Sequence, residues 1–126
     1  MLRKKELGMS VTQIAVNDVK SLLDGDGSIQ LIDVRTIAEF QQAHVADAKL
    51  LPLDQINEEL IKGFPIDPNE PIYFICRSGN RSNMAAHQFA SLGFEQTFNV
   101  AGGMIDWVSQ GYEAVQGLND DDWLKL

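Results

Sequence analysis

The residues best suited to chemistry in this sequence lie in one short stretch, Cys76-Arg77-Ser78-Gly79-Asn80-Arg81, which contains the only cysteine of the chain. The apolar run Ile72–Ile75 before it predicts a buried strand. The spacing of apolar residues in 82–93 predicts a helix that ends at Gly93. Cys76 is therefore expected where a parallel strand ends and a helix begins, the edge at which open α/β sheets bind ligands.

The predicted surroundings of Cys76 favour its ionised form. Backbone N–H groups of the loop and of the first helical turn have no partners within the helix, so they attract an anion. Arg77 and Arg81 add two cations nearby. Because the thiolate is the nucleophilic form of cysteine, the sequence predicts that Cys76 is a nucleophile. The alternative is that a single cysteine at a strand end packs as a small buried apolar residue.

Strand and helix signals alternate along the rest of the chain. Strands are predicted at 10–14, 29–34, 48–51, 72–75 and 96–100, with helices between and after them. Thr36 and Glu39 form a capping box at one helix start, and Asp54 is the predicted N-cap of the next helix. In the last helix, Met104, Ile105 and Val108 are expected to face inward.

These signals predict an α/β fold: one domain with a central, mostly parallel sheet of about five strands and helices on both faces. Residues 1–9 form a lead-in that is expected to be mobile, and residues 10–115 form the domain. Residues 116–126 form an acidic C-terminal tail, which Trp123 and Leu124 are expected to dock onto the domain.

Composition narrows the function classes. The formal net charge of −8 disfavours nucleic acid and an anionic membrane surface as partners. No apolar run is long enough for a membrane span, and the N-terminal residues lack the apolar core of a signal peptide. A single cysteine excludes an internal disulfide and favours a cytoplasmic location. No cluster of Cys or His has metal-ligand spacing, so neither a metal nor another cofactor is expected.

The stretch from Cys76 to Ser82 resembles the active-site loop of rhodanese-like sulfurtransferases. The resemblance covers residues 10–115, and its other marks are Leu31-Ile32-Asp33-Val34-Arg35, Glu39-Phe40, His44-Val45, Leu51-Pro52, Gly93-Phe94, Asn99 to Met104, and Trp107. Ala43 and Asp47 depart from the family pattern, in which glycine is common at both positions. These departures affect a connection away from the loop.

The resemblance implies a single rhodanese-like domain that transfers sulfur. Cys76 would take the outer sulfur of a donor such as thiosulfate and become a persulfide. Cyanide or a thiol would then accept the sulfur, so the kinetics would be ping-pong. Because the chain has no second cysteine, another molecule must remove the sulfur from Cys76.

The other loop residues are predicted to bind the substrate. Ser78, Gly79 and Asn80 would contribute backbone N–H groups, with Gly79 in an unusual backbone conformation and Asn80 able to tolerate a left-handed one. Arg77 is expected to bind the sulfonate end of the donor and the leaving sulfite. Arg81 either does the same or pairs with a carboxylate and fixes the loop, and both interpretations stay open.

Several further residues are assigned supporting roles. An ion pair of Asp33 or Arg35 with the loop or with Glu39 would orient the N–H groups around Cys76. The resemblance implies that His44 supports the fold instead of acting as a base. His87 is expected to face the solvent, and Trp107 is expected to lie in the core. Gly102 and Gly103 are expected to shape the rim of the pocket.

Two other functions compete with a sulfurtransferase. A cysteine-based phosphatase or arsenate reductase also surrounds an anion with a cysteine and an arginine. Only four residues separate Cys76 from Arg81, one fewer than in tyrosine-type phosphatases, so the smaller ring favours a sulfur-sized group. A sulfur-relay module that takes sulfur from a protein donor also stays open, because an acidic surface and a single cysteine suit docking to such a partner.

Overall fold

The computed structural model describes residues 10–25 and 28–124. One sheet contains five strands, which are Val11–Ala15 (β1), Gln30–Asp33 (β2), Lys49–Leu50 (β3), Ile72–Ile75 (β4) and Thr97–Ala101 (β5). Their order is β1-β5-β4-β2-β3, and every pair is parallel. The predicted α/β fold is therefore confirmed. The lead-in 1–9 and the last two residues of the tail lie outside the described residues.

The helices lie between the strands and after the last one. They are Val16–Gly25 (α1), Ile37–Gln42 (α2), Glu58–Gly63 (α3), Asn80–Ser91 (α4) and Gly103–Ser109 (α5), with 3₁₀ turns at Leu53–Gln55 and Asp120–Asp122. Within the described residues, no helix combines the length and the apolar character that a membrane crossing requires.

Strand β4 contributes to apolar layers on both faces of the sheet, because successive side chains of a strand point to opposite sides. Phe74 packs on one side against Phe89 of α4, with the ring centroids 4.7 Å apart. Tyr73 and Ile75 belong to the opposite layer, which also contains Trp107 of α5. All four residues of β4 are buried. The expectation of helices on both faces is therefore confirmed.

The site lies where the chain leaves two neighbouring strands in opposite directions. From β4 the chain passes through α4 to β5 on one side, whereas from β2 it passes through α2 to β3 on the other. Such a divergence opens a crevice at the carboxyl ends of the two strands. Cys76 follows β4 directly, and Asp33 is the last residue of β2.

One of the two helix-start predictions is correct. The capping box is present, because Thr36 Oγ1 accepts a hydrogen bond from Glu39 N at 3.2 Å and Glu39 Oε1 accepts one from Thr36 N at 3.2 Å. The prediction for Asp54 is wrong. Asp54 lies in a 3₁₀ turn, and Asn57 caps α3 with its side chain by accepting a backbone hydrogen bond at 2.9 Å. The chain makes that short turn before α3 can start.

The predicted inward face of α5 is also partly wrong. Met104 and Trp107 are buried, as expected, but Ile105 is 46% exposed and Val108 is 55% exposed. Residues three apart lie on the same face of a helix, so Met104 and Trp107 occupy the face toward the sheet. Only this one face of α5 packs against the core. Ile105 and Val108 lie on another side of the helix and therefore point outward.

The described part of the acidic tail packs against the domain. Leu124 N donates a hydrogen bond to Leu50 O at 3.0 Å, and Trp123 forms a parallel bridge with Leu50. Leu124 also packs against the apolar layer that contains Phe74. The expectation that Trp123 and Leu124 dock the tail is confirmed.

Candidate active site

The loop after β4 places Cys76 beneath the start of α4, where the side chain is 1% exposed. Gly79 precedes the helix with φ of +105°, a left-handed conformation that glycine adopts readily. The unusual backbone conformation expected of Gly79 is confirmed. Asn80 is instead the first residue of α4, and no described residue other than glycine has a positive φ.

The Cys76 sulfur lies among hydrogen-bond donors of the loop and of α4. Sγ accepts hydrogen bonds from Gly79 N at 3.2 Å and from Ser82 N at 3.3 Å, and Ser82 Oγ lies 3.2 Å away. Burial raises the pKa of the thiol. Hydrogen bonds with the Ser82 hydroxyl and with the backbone N–H groups of Ser82, Gly79 and Ser78 lower the pKa. Together they lower it by more than burial raises it, so the pKa of Cys76 lies below its ordinary value.

The donors differ in part from those predicted. Gly79 and Ser78 act through their backbones, as expected. The backbone of Asn80 makes no hydrogen bond to the sulfur among the described contacts. Ser82, the last residue of the predicted loop, was given no role of its own, yet it donates its N–H to the sulfur and places its hydroxyl 3.2 Å away. The helix begins at Asn80, so Ser82 lies in its first turn, where N–H groups have no partner within the helix.

The start of α5 holds the other side of the loop backbone. Met104 N donates to Cys76 O at 2.8 Å, and Ile105 N donates to Arg77 O at 3.1 Å. We call these two hydrogen bonds the clamp. Because the clamp turns the loop carbonyls toward α5, it leaves the loop N–H groups free to face the sulfur. Gly103 lies under this backbone, where a Cβ would be 2.3 Å from Cys76 O.

Arg81 pairs with Glu39 of α2. Its two terminal nitrogens donate to the two carboxylate oxygens at 2.7 and 2.9 Å. The Arg81 hydrogen bonds lower the pKa of Glu39 to about 2 although burial opposes this shift, and the same pair raises the pKa of Arg81. Of the two interpretations of Arg81, the geometry favours the one in which it pairs with a carboxylate and ties α4 to α2.

Asp33 and Arg35 pair with each other, so the prediction that either pairs with the loop or with Glu39 is wrong. Arg35 Nη2 and Nε donate to the Asp33 carboxylate at 2.8 and 3.0 Å, and both side chains are buried. Arg35 Nη2 also donates to Ala43 O at 2.7 Å. The sequence separation of two residues allows this local pair, which stabilises the connection that carries Glu39.

The other candidates divide between the surface and the core. Arg77 is exposed next to the nucleophile, and the ion pairs described among residues 10–25 and 28–124 do not include it. His44 is buried, stacks on Phe40 and has Nδ1 2.8 Å from Phe40 O, which agrees with a role in the fold. His87 is exposed and Trp107 is buried, as expected.

A chain of side-chain hydrogen bonds extends from Ser82 to strand β1. Ser82 Oγ donates to Asn99 Oδ1 at 2.5 Å, and Asn99 Nδ2 donates to Gln13 Oε1 at 2.7 Å. Gln13 Nε2 in turn donates to Asn83 Oδ1 at 3.0 Å. Sequence reasoning missed this chain. The available signal was Asn99, a polar residue within the otherwise mainly apolar strand β5.

This arrangement defines a class of protein: an α/β protein whose single buried thiol lies in a ring of N–H donors at the crevice of a parallel sheet. The ring is suited to an anionic sulfur, because each donor interacts more strongly with a charged acceptor than with a neutral one. The model of the rhodanese-like domain family matches residues 15–110. The chain belongs to the rhodanese-like domain family.

Individual relatives agree with this assignment. A protein from Allochromatium vinosum named sulfurtransferase is 32% identical over 105 residues, which cover 83% of this chain and 95% of that protein. The crystal structure of a rhodanese-like domain protein from Staphylococcus aureus is 31% identical, covers 76% of this chain and 90% of that chain, and has a TM-score of 0.68.

Some relatives are longer than this chain. A Bacillus subtilis protein, provisionally named a sulfur carrier protein, is 34% identical over 105 residues, which cover 83% of this chain. The chain spans just over half the length of that protein and of a Synechocystis relative. The relatives thus include a protein named as a sulfurtransferase and one named as a sulfur carrier.

Proposed function

We propose that this protein is a sulfurtransferase that carries sulfur as a persulfide on Cys76, with thiosulfate as a donor and cyanide or a thiol as acceptor. The observation that carries the proposal is the set of polar groups around Sγ: Gly79 N and Ser82 N donate to it at 3.2 and 3.3 Å, and the Ser82 hydroxyl oxygen lies 3.2 Å away. Hydrogen bonds to Sγ favour the thiolate, and the pKa of Cys76 accordingly lies below its ordinary value. The names of the relatives support the same chemistry.

The reaction consists of two displacements at sulfur. The Cys76 thiolate attacks the outer sulfur of thiosulfate, so that a bond forms between Sγ and that sulfur while the S–S bond of the donor breaks. The electron pair of the broken bond leaves with sulfite. The acceptor then attacks the outer sulfur of the persulfide, and the electrons of the Sγ–S bond return to Sγ as the thiolate. Neither half-reaction requires an external oxidant or reductant.

Arg77 is assigned to the anionic end of the donor. It follows the nucleophile directly, its side chain is exposed, and a guanidinium binds sulfonate or sulfite oxygens through paired N–H groups. The persulfide itself is anionic near neutral pH, so the same ring of N–H groups can hold the loaded state. No metal or other cofactor takes part in this scheme.

A second function, a sulfur relay between proteins, is favoured by the carrier name of the Bacillus relative and by the single cysteine. In a relay the same persulfide forms on Cys76, but a protein supplies the sulfur and another removes it. A reducing cytoplasm suits both versions, because it keeps the unpaired thiol from being oxidised between transfers.

The phosphatase alternative is not favoured by the geometry. In such an enzyme the arginine of the loop would bind the phosphate oxygens. Here both terminal nitrogens of Arg81 donate to Glu39. The loop therefore offers the anion backbone N–H groups and the Ser82 hydroxyl, without the Arg81 guanidinium.

Intact-mass spectrometry tests the proposal. The purified protein is weighed before and after incubation with thiosulfate, and again after cyanide is added. We expect a gain of one sulfur atom that cyanide removes and that the Cys76→Ser variant does not show. If wild-type protein gains no sulfur although Cys76 reacts with an alkylating agent, a thiosulfate enzyme is refuted. Loading by a persulfide-bearing protein donor would then support the relay.

A further inference from the structure

The Ser82 hydroxyl lies between two groups that compete for its single proton. Cys76 Sγ is 3.2 Å from Oγ on one side, and Asn99 Oδ1 is 2.5 Å from it on the other. Ser82 is fully buried and Asn99 is 4% exposed. A hydroxyl donates only one hydrogen bond. While Oδ1 of Asn99 faces Ser82, the proton goes to Asn99, and Oγ can only accept a hydrogen bond from a neutral Cys76 thiol.

A thiolate at Cys76 requires the opposite arrangement. The thiolate has no proton, so it gains a hydrogen bond from Ser82 only if the hydroxyl turns toward Sγ. Ser82 Oγ and Asn99 Oδ1 would then be two acceptors 2.5 Å apart. That contact becomes favourable if the Asn99 amide rotates by half a turn and presents Nδ2 to Ser82, which amides do without a change of shape.

The rest of the hydrogen-bond chain permits this rotation. Asn99 Nδ2 now donates to Gln13 Oε1, and Gln13 Nε2 donates to Asn83 Oδ1. If all three amides rotate together, Asn83 donates to Gln13, Gln13 donates to Asn99, and Asn99 donates to Ser82. Every hydrogen bond is kept with its direction reversed. The chain ends at Asn83, which is half-buried.

We propose that Asn99, Gln13 and Asn83 form an amide relay whose orientation follows the protonation of Cys76, with Asn99 and Gln13 as positioning residues for the Ser82 hydroxyl. The inference rests on the proposed function in one respect: the thiolate is the form that attacks the donor. When the outer sulfur is bound, the negative charge moves from Sγ to that sulfur, and the hydroxyl returns to Asn99. The amide relay thus adjusts one donor to each state of the cycle.

The amide relay is separate from the charged groups around Cys76. Arg77 lies in the loop and Arg81 lies in α4. Asp33, at the end of β2, is paired with Arg35, and Asp106 lies in the first turn of α5. None of them belongs to the amide relay. A change at Gln13 on the edge strand β1 therefore leaves all of them in place while it acts on the orientation of Asn99.

The Gln13→Glu substitution tests the amide relay, because a carboxylate only accepts hydrogen bonds. Asn99 must keep Nδ2 toward residue 13 and Oδ1 toward Ser82, which denies the hydroxyl to the thiolate. We expect the pKa of Cys76, measured from the pH dependence of alkylation by iodoacetamide, to rise by about one unit, since a hydrogen bond to a charged group corresponds to about one to two units. Gln13 is exposed, so the substitution buries no charge.

Two controls separate the amide relay from simple electrostatics. Thr12→Glu places the same charge on the neighbouring exposed residue of β1 and is expected to leave the pKa of Cys76 within about 0.3 units, since exposed charges are screened. Ser82→Ala removes the hydroxyl, so adding Gln13→Glu to it should produce no further shift. A shift of equal size in both backgrounds, or no shift in either, would overturn the amide relay. The assay uses no sulfur donor, so its result is independent of whether thiosulfate is a substrate.

Discussion

Replacing Gly103 with alanine is expected to displace the loop that holds Cys76. Gly103 has φ of +53°, and an added Cβ would lie 2.3 Å from Cys76 O and 2.7 Å from Arg77 O. Since real Cβ atoms do not approach within 3.0 Å, the Cys76 carbonyl must retreat by about 0.7 Å, the difference between 3.0 and 2.3 Å. That movement lengthens the 2.8 Å hydrogen bond from Met104 N beyond the usual range for such bonds.

The cost of the substitution follows from these contacts. Each of the two hydrogen bonds of the clamp contributes about 1 kcal/mol, and a non-glycine residue in the left-handed region costs about 1 kcal/mol. The free energy of unfolding of Gly103→Ala should therefore fall by about 3 kcal/mol. Gly111→Ala is the matched control, because Gly111 also has a positive φ, +80°, but has nothing within 4 Å of an added Cβ. It should lose only about 1 kcal/mol.

Urea unfolding measures the stability difference, and mass spectrometry after mixing with thiosulfate measures the rate of persulfide formation. We expect this rate to fall by at least about tenfold in Gly103→Ala, since a misplacement of about 1 Å costs up to about 100-fold. Gly111→Ala should keep the wild-type rate. If both variants lose the same stability and both keep the rate, the clamp does not position the loop.

Three further predictions concern charge. The thiolate fraction of Cys76 should reach one half below about pH 8.5, the pKa of a free thiol; an alkylation curve with the ordinary midpoint would contradict the role of the N–H ring. Arg77→Ala should slow turnover of thiosulfate at least about tenfold, as loss of a charge-assisted hydrogen bond does, while alkylation of Cys76 continues at its normal rate. Equal loss in both assays would indicate a collapsed loop instead. Since the pKa of Glu39 falls from 4.5 to about 2 on folding, its contribution is complete above pH 4.5 and disappears as the pH falls toward 2. Glu39→Gln should therefore lower the free energy of unfolding by about 1 kcal/mol near neutral pH, a figure reduced because the pair is about one-third exposed. The difference between wild type and variant in urea unfolding should vanish near pH 2, and a difference independent of pH would refute this assignment.

The features that could be predicted from the sequence are those determined by neighbouring residues. The apolar run before Cys76 and the helical pattern after it place the nucleophile at the end of a strand. The capping box of Thr36 and Glu39 is complete within four residues. In each case the residues that make the structure lie within one or two turns of each other, so their types and spacing suffice.

Pairings across the fold could not be predicted in this way. Arg81 finds its carboxylate 42 residues away in Glu39, and the residues next to Arg81 in the sequence do not identify that partner. Asp33 is instead occupied by Arg35, two residues along the chain. Only the order of the strands shows which side chain reaches the loop, and that order depends on packing of the whole sheet.

The side-chain donors of the site were missed for a related reason. The loop sequence predicted backbone donors at Ser78 and Asn80, whereas the register of α4 brings Ser82 to the sulfur. Asn99 reaches Ser82 only because β5 lies next to β4 in the sheet. A polar residue inside a buried strand is a signal of such a contact, since a buried amide needs partners.

The docking of the tail has a consequence for association between molecules. β3 contains only two residues and lies at one end of the sheet, where unpaired backbone groups can recruit a strand from another copy. The bridge from Trp123 to Leu50 and the hydrogen bond from Leu124 N to Leu50 O occupy this edge. The acidic residues 120–122 precede Trp123, so a strand that approached the edge would also meet negative charge. The tail thus protects the sheet against aggregation at β3.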